Sequence, residues 1–309
     1  MASFTSLVKG EIATNLGTKA ENIAEISAIF NLAAIYDDSK IKLHTENPTI
    51  ARHIYTLIKE VYNISSLVTI RKQKFFDKNY LYITSIYDYE FVIRKDLSLV
   101  DKNNQIKHIP DDYIISDEET KRAYLRGVFL IKGSVNDPKT ARYHLEIATD
   151  HKQQAEFIKK IINSFNLNSK IIKRTNNYTI YIKEAEKISD FLRIINAGNA
   201  VMYFEDIRIY RDHKNMTNRL NNCEQANIEK TISSSNQIIE DINYLKEIDC
   251  YNLLPEDVAE TGLYRVKYPE SSLNELSAII AHETGKSLSK SGINHRLRKI
   301  KELAKKLRK

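Results

Sequence analysis

Between residues 21 and 35 the apolar residues Ile23, Ile26, Ile29, Phe30 and Ala33 recur at spacings of three and four, which predicts a helix. Residues 40–44 alternate instead, with Ile41 and Leu43 set against lysines, and read as a strand. Pro48 opens a second amphipathic helix that runs to Tyr62, since proline suits a first helical turn. Two further alternating segments, 67–71 and 80–84, read as a hairpin.

The same order then returns. Residues 120–131 carry an apolar helix, 143–149 alternate as a strand, 153–165 are amphipathic, and 170–174 with 178–182 form a second hairpin. Asn63-Ile64-Ser65-Ser66 precedes the first hairpin as Asn166-Leu167-Asn168-Ser169 precedes the second, and Arg71 falls on Arg174, 103 residues later. One α-β-β-α-β-β unit therefore occurs twice, with halves at about 20–100 and 118–200. The fold class expected is α+β, a duplicated domain over 1–213 followed by all-α structure. Residues 215–247 hold no glycine or proline and predict one long helix, so that 214–250 form a helical linker to a C-terminal domain at 251–309.

In that last region Ser272 and Glu275 have the spacing of a capping box, and Leu273, Leu276, Ile279 and Ile280 make one apolar stripe. Residues 282–287, with Gly285, are expected to make the turn. Ser289 caps a second helix whose apolar residues are Ile293, Leu297, Ile300 and Ala304. With Ile293 at zero on a wheel of 100° per residue, the stripe centres near 10°. Arg298, Ser291, His295 and Lys299 fall at about 140°, 160°, 200° and 240°, on the opposite face. Two short helices, a tight turn and a basic second helix are the parts of a helix-turn-helix, whose second helix enters the major groove of DNA. Arg298 can donate two hydrogen bonds to a guanine, Ser291 and His295 can reach base edges or phosphates, and Lys301, Lys305, Lys306 and Arg308 can neutralise phosphates. The expected DNA-binding set is Ser289, Lys290, Ser291, Asn294, His295, Arg296, Arg298, Lys299 and Lys301, with double-stranded DNA as partner.

Charge sharpens this picture. The 309 residues carry a net +7, yet residues 289–309 hold nine Lys or Arg against one acid, Glu302, for +8. Residues 1–288 hold 38 bases and 39 acids, or −1. The excess positive charge sits wholly at the C-terminal end, although Arg71, Lys72, Lys74 and Arg142 make a smaller basic cluster in the first domain. Cys223 and Cys250 are too far apart in sequence for a Cys-x-x-Cys pair and imply a reducing compartment. No run of 18 apolar residues and no signal-like N-terminus occurs, so a cytoplasmic protein without membrane partners is expected, and the expected DNA binding makes it nucleoid-associated. Gly285-Lys286-Ser287 lacks the leading glycine of a phosphate loop, since position 280 is Ile280. No histidine and cysteine spacing fits a zinc site, and no cofactor is expected.

Three segments resemble the bacterial WhiA family: residues 289–299, SKSGINHRLRK; residues 268–276, YPESSLNEL; and residues 215–227, NMTNRLNNCEQAN. The similarity begins at Ser3-Phe4-Thr5 and runs along the chain. Such a resemblance implies a LAGLIDADG homing-endonuclease-like domain joined to a helix-turn-helix. It further implies a transcriptional regulator linked to cell division and chromosome segregation, or in some bacteria to sporulation. In the nucleases the eighth motif residue of each half is a metal-binding acid, followed by a glycine for close helix packing. Here the second motif, LRGVFLIKG from Leu125, puts Lys132 at the acid position, followed by Gly133; the first, ISAIFNLAA from Ile26, puts Ala33 there. Neither side chain can ligate Mg²⁺, so no catalytic residue and no enzymatic activity are expected. Lys132 has two open readings, a phosphate contact or a solvated helix end. A nuclease with displaced acids such as Asp37 or Asp137, and an adaptor for other regulators or division proteins, are the alternatives. The polar row of Asn215, Asn218, Arg219, Asn222, Cys223, Ala226, Asn227 and Lys230 is expected to pack against another helix or the first domain, with contact to nucleic acid as the alternative.

Overall fold

Helix starts along the chain are set by side-chain caps. Thr18 and Glu21 close a capping box at the head of α2 (Lys19–Ala33). Asn47, followed by Pro48, caps α3 (Pro48–Tyr62), and Asp117 with Thr120 caps α5 (Glu118–Lys132). These residues accept hydrogen bonds from backbone amides that a helix start otherwise leaves unpaired. The computed structural model describes residues 3–37, 40–72, 80–140 and 142–308, which places Lys74 of the basic cluster outside the described residues.

A short α1 (Phe4–Ile12) precedes the first half, which consists of α2, β1 (Ile35–Asp37), β2 (Lys40–Thr45), α3, β3 (Leu67–Lys72), β4 (Tyr80–Tyr87) and α4 (Glu90–Asp96). The second half repeats it as α5, β5 (Gly133–Val135), β6 (Leu145–Thr149), α6 (Lys152–Ser164), β7 (Lys170–Lys173), β8 (Tyr178–Ile182) and α7 (Ala185–Ile194). Each half holds a four-stranded antiparallel sheet, in the orders β1-β2-β4-β3 and β5-β6-β8-β7. The two hairpins match their predicted positions. Strands β1 and β5 were not predicted, and Ile35 belongs to β1 rather than to α2. At three residues each, they are too short to show alternation. The matched turns have a common cause, because Asn63 and Asn166 both adopt left-handed backbone (φ 56° and 60°), which asparagine tolerates better than most residues.

The halves meet through α2 and α5. Ala24, Ile26, Ala28, Ile29 and Phe30 on one helix and Ala123, Leu125, Val128 and Phe129 on the other are at most 1% exposed. Backbones come close at Gly127, where a Cβ would lie 2.5 Å from the Glu25 carbonyl oxygen and 3.0 Å from the Ala28 Cβ. The expected role of Gly133 in helix packing is corrected by this geometry, since a Cβ at Gly133 would meet the Phe129 ring of its own segment.

Sealed into this seam is a charged triad. The Glu25 carboxylate (0% exposed) meets His53 Nε2 of α3 at 2.8 Å through Oε1, and accepts at Oε2 from Arg126 Nε at 2.8 Å. Lys9 of α1 reaches over the Phe129 ring, and burial pulls its ammonium down to about 8. The folded chain thus holds this proton less tightly than the unfolded chain does, a cost present in full below pH 8 that fades as pH rises toward the ordinary lysine value. Lys9→Met should therefore raise Tm at pH 7 by about 2–4 °C, equivalent to ~1 kcal/mol for a unit of this size, and the gain should shrink by pH 10 in the same thermal melts.

Beyond α7 the chain forms α8 (Gly198–Glu247), α9 (Glu256–Lys267), α10 (Leu273–Thr284) and α11 (Lys290–Leu307). The predicted long helix is real but begins 17 residues earlier, at Gly198, because a glycine at the first helical position interrupts nothing. Two compact units result, Met1–Arg211 and Asp212–Lys309.

Candidate nucleic-acid interface

The second unit is built on one apolar cluster. Ile293, Leu297, Ile300 and Ala304 of α11 are each at most 1% exposed, packed with Val258 of α9, Leu276 and Ile280 of α10, and Ile242 and Leu245 of α8. The end of α8 is thus part of this core rather than a free linker. Ser272 and Glu275 form the expected capping box, with Ser272 N donating to Glu275 Oε2 at 2.7 Å. His282, Glu283 and Thr284 continue α10, which corrects the predicted turn to residues 285–289. Gly285 ends the helix in left-handed backbone (φ 69°), its amide donating to the Ala281 carbonyl. The Ser277 hydroxyl then donates to the Leu288 carbonyl, tying the turn to α10 before Ser289 caps α11. At the α9–α10 end, Glu283 accepts from Tyr268 Oη at 2.7 Å and Lys267 Nζ at 3.1 Å, and these bonds hold its carboxyl below the ordinary glutamate value.

This packing fixes which side chains of α11 face water. Lys290, Ser291, Asn294, His295, Arg298, Lys299 and Lys301 are exposed, as are Lys305 and Lys306. Arg298 is 74% exposed and paired along the helix with Glu302 at 3.0 Å, a contact worth at most ~1 kcal/mol and so readily exchanged for a phosphate or base. Ser289 is exposed but engaged as the N-cap, its Oγ accepting from Gly292 N at 3.2 Å. Two expected DNA contacts are redirected. Arg296 turns inward to α9, with Nε 3.2 Å from Asp257 Oδ2 and Nη1 donating to Thr261 Oγ1. Arg308 turns back onto α8, 3.0 Å from Asp241 and stacked over the Tyr244 ring. Both sit at the flank of the apolar stripe, where a long side chain reaches the neighbouring helix more easily than solvent.

The polar row on α8, expected to pack against another helix or domain, is solvent-exposed along its length. Residues 212–230 are exposed on every face, and Asn227 Nδ2 bonds within the helix to Cys223 Sγ at 3.9 Å.

At the ends of α2 and α5, where the resemblance places the acid positions, the donor set does not suit a metal. Ala33 offers no ligand atom, and Lys132 brings a cation, 3.8 Å from Asp150. Around them Gln154 donates to the Asn31 carbonyl, and Asn31 Nδ2 donates to the Lys107 carbonyl. His108 and His151 stack with ring centroids 3.8 Å apart, and burial together with the facing imidazole pushes His108 below its ordinary value. Asp37 pairs with Lys40 and Lys42, and Asp137 accepts from the Lys139 amide of its own turn. Among the described residues no group of three or more His, Cys, Asp or Glu could hold a metal ion.

Comparison with known proteins agrees with this architecture. The WhiA N-terminal LAGLIDADG-like domain matches residues 19–100, the WhiA LAGLIDADG-like domain residues 121–214, and the WhiA C-terminal HTH domain residues 217–304. A protein of Lacticaseibacillus paracasei, named "Probable cell division protein WhiA", is 42% identical, over 98% of this chain and 97% of its own. A protein of the same name from Staphylococcus saprophyticus is 43% identical over 99% and 98%. Among solved structures, full-length DUF199/WhiA from Thermatoga maritima superposes with a TM-score of 0.59 at 26% identity, covering 99% of both chains. With family models along most of its length and relatives above 40% identity over nearly all of it, the chain belongs to the WhiA family.

Proposed function

We propose that this protein is a non-catalytic, double-stranded-DNA-binding regulator that reads its target through α11 and serves cell division and chromosome segregation from the nucleoid. The observation that carries the reading is the exposed basic face of α11, held outward by four buried apolar residues within a helix-turn-helix. Arg298, His295, Asn294 and Ser291 are the base-reading candidates; Lys299, Lys301, Lys305 and Lys306 serve as phosphate contacts. The role in division is supported by the names that the relatives carry. No helix among the described residues is long and apolar enough to cross a membrane. The acid positions of the first unit hold Ala33 and Lys132, so that unit acts as a scaffold rather than a nuclease.

The test is duplex binding by fluorescence anisotropy across a salt series, with fragments selected from genomic DNA. Arg298→Ala should weaken binding to a selected site by about tenfold, ~1.4 kcal/mol, and relax preference at one base position. Lys299→Ala combined with Lys301→Ala should weaken all duplexes alike and lower the slope of log K against log salt by about 2. Affinity and slope unchanged in both variants would overturn the reading.

A further inference from the structure

Among the described residues two arginines are 98% buried, and they are treated differently. Arg126 has the Glu25 carboxylate within 2.7 Å. Arg265, on α9, has no carboxylate within 4 Å among the described residues: Nη1 donates to the carbonyls of Ser271 at 2.6 Å and Tyr268 at 3.4 Å, and buried Nε has no partner. Burial pushes its guanidinium below the ordinary value. Two carbonyl dipoles do not compensate a full buried charge, which is costly to leave without a counter-ion.

Arg265 of α9 lines a half-open cavity of about 310 Å³, with α8, the start of α10 and the first two turns of α11 as its other walls. Ser235 of α8 lines it too, is 2% exposed, and has a buried hydroxyl without a partner. At the rim stand Lys230 and Lys290, both exposed, and no acid is among the lining residues. Glu275, the nearby acid of α10, is turned onto the Ser272 amide as its cap. Leu273 and Asn274 bring the first two amides of α10, donors that a helix start leaves unpaired and that favour an anion. Three cations, hydroxyl donors and two helix starts therefore surround one volume, and the buried charge at its base lacks a counter-ion.

We propose that this cavity binds a phosphate group, carried either on a small molecule or on the DNA backbone. At neutral pH a phosphate monoester brings nearly two negative charges and a backbone phosphodiester one, each with acceptor oxygens that match the cations and donors present. The volume exceeds that of a bare phosphate and lies at the lower end of small-molecule pockets, leaving Leu273 and Leu297 to meet an organic remainder. Since the cavity joins α8 to the first turn of α11, an occupant sets how the head of the DNA-facing helix is held.

The experiment is isothermal titration calorimetry of the full chain with inorganic phosphate, and separately with adenosine monophosphate, at ionic strength held constant with chloride. Wild type should take up one phosphate per chain. Lys230→Gln and Ser235→Ala, neither of which lies on α11, should each weaken uptake at least fivefold with unchanged circular dichroism. Absence of uptake by wild type, or uptake by either variant as tight as that of wild type, would overturn the proposal. Repeating the titration with saturating duplex identifies the source: displacement of phosphate assigns the cavity to the DNA backbone, and retained uptake assigns it to a free ligand. Failure of the chain to bind any duplex would sink the DNA-binding reading and leave the phosphate result standing.

Discussion

Glu25→Ala should lower the stability of the first unit by about 3–5 kcal/mol, because it leaves Arg126 buried without its counter-ion. Glu25 is 0% exposed, and both its oxygens are engaged, one by His53 of α3 and the other by Arg126 of α5. Removal of the carboxylate strands a guanidinium that is 2% exposed and an imidazole that is 3% exposed. Thermal melts should show Tm falling by roughly 10 °C, taking 2–4 °C per kcal/mol for a unit of about 200 residues. The decisive comparison is Glu25→Leu combined with Arg126→Met, which removes both charges while filling much of the space. That double variant should recover more than half of the loss, since a buried pair replaced by apolar groups is often near neutral. A double variant as unstable as the single one would show that the seam depends on packing volume rather than charge balance.

This triad also marks where sequence patterning reaches its limit. Spacings of three and four located α2, α3, α5 and α6, since each carries a long apolar face, and the left-handed asparagines repeated the turns visibly. Glu25 and Arg126 stand 101 residues apart in sequence, and nothing in either helix alone says that their charges meet. One signal was available: both interrupt apolar stretches at positions next to buried residues, Ala24 and Ile26 in one case and Leu125 and Gly127 in the other. A charge there is either exposed or paired. The same wheel that put Arg298 outward puts Arg296 at about 300°, close enough to the apolar stripe to find Asp257. Arg296 and Arg308 were read by charge alone, and charge does not reveal which acids a neighbouring helix will offer. For the cavity the difficulty was greater, because Lys230, Ser235, Arg265 and Lys290 come from three helices and share no motif.

Gly127 is where the two halves tolerate least change, and Gly127→Val should cost at least ~3 kcal/mol. A Cβ there would lie 2.5 Å from the Glu25 carbonyl oxygen, and that oxygen belongs to helical backbone that cannot rotate away as a side chain would. The Ala28 Cβ at 3.0 Å blocks sideways escape. Relief requires α2 and α5 to separate, which opens gaps beside Ile29, Phe30, Val128 and Phe129, all at most 1% exposed. Separation also stretches the adjacent Glu25 to Arg126 bonds, so the steric and electrostatic costs share one cause and should not add. In thermal melts, Gly127→Val combined with Glu25→Ala should therefore lower Tm by less than the two single effects together. Strict additivity would mean that the helix seam and the charged triad are independent, contrary to the contacts that place Glu25 in both.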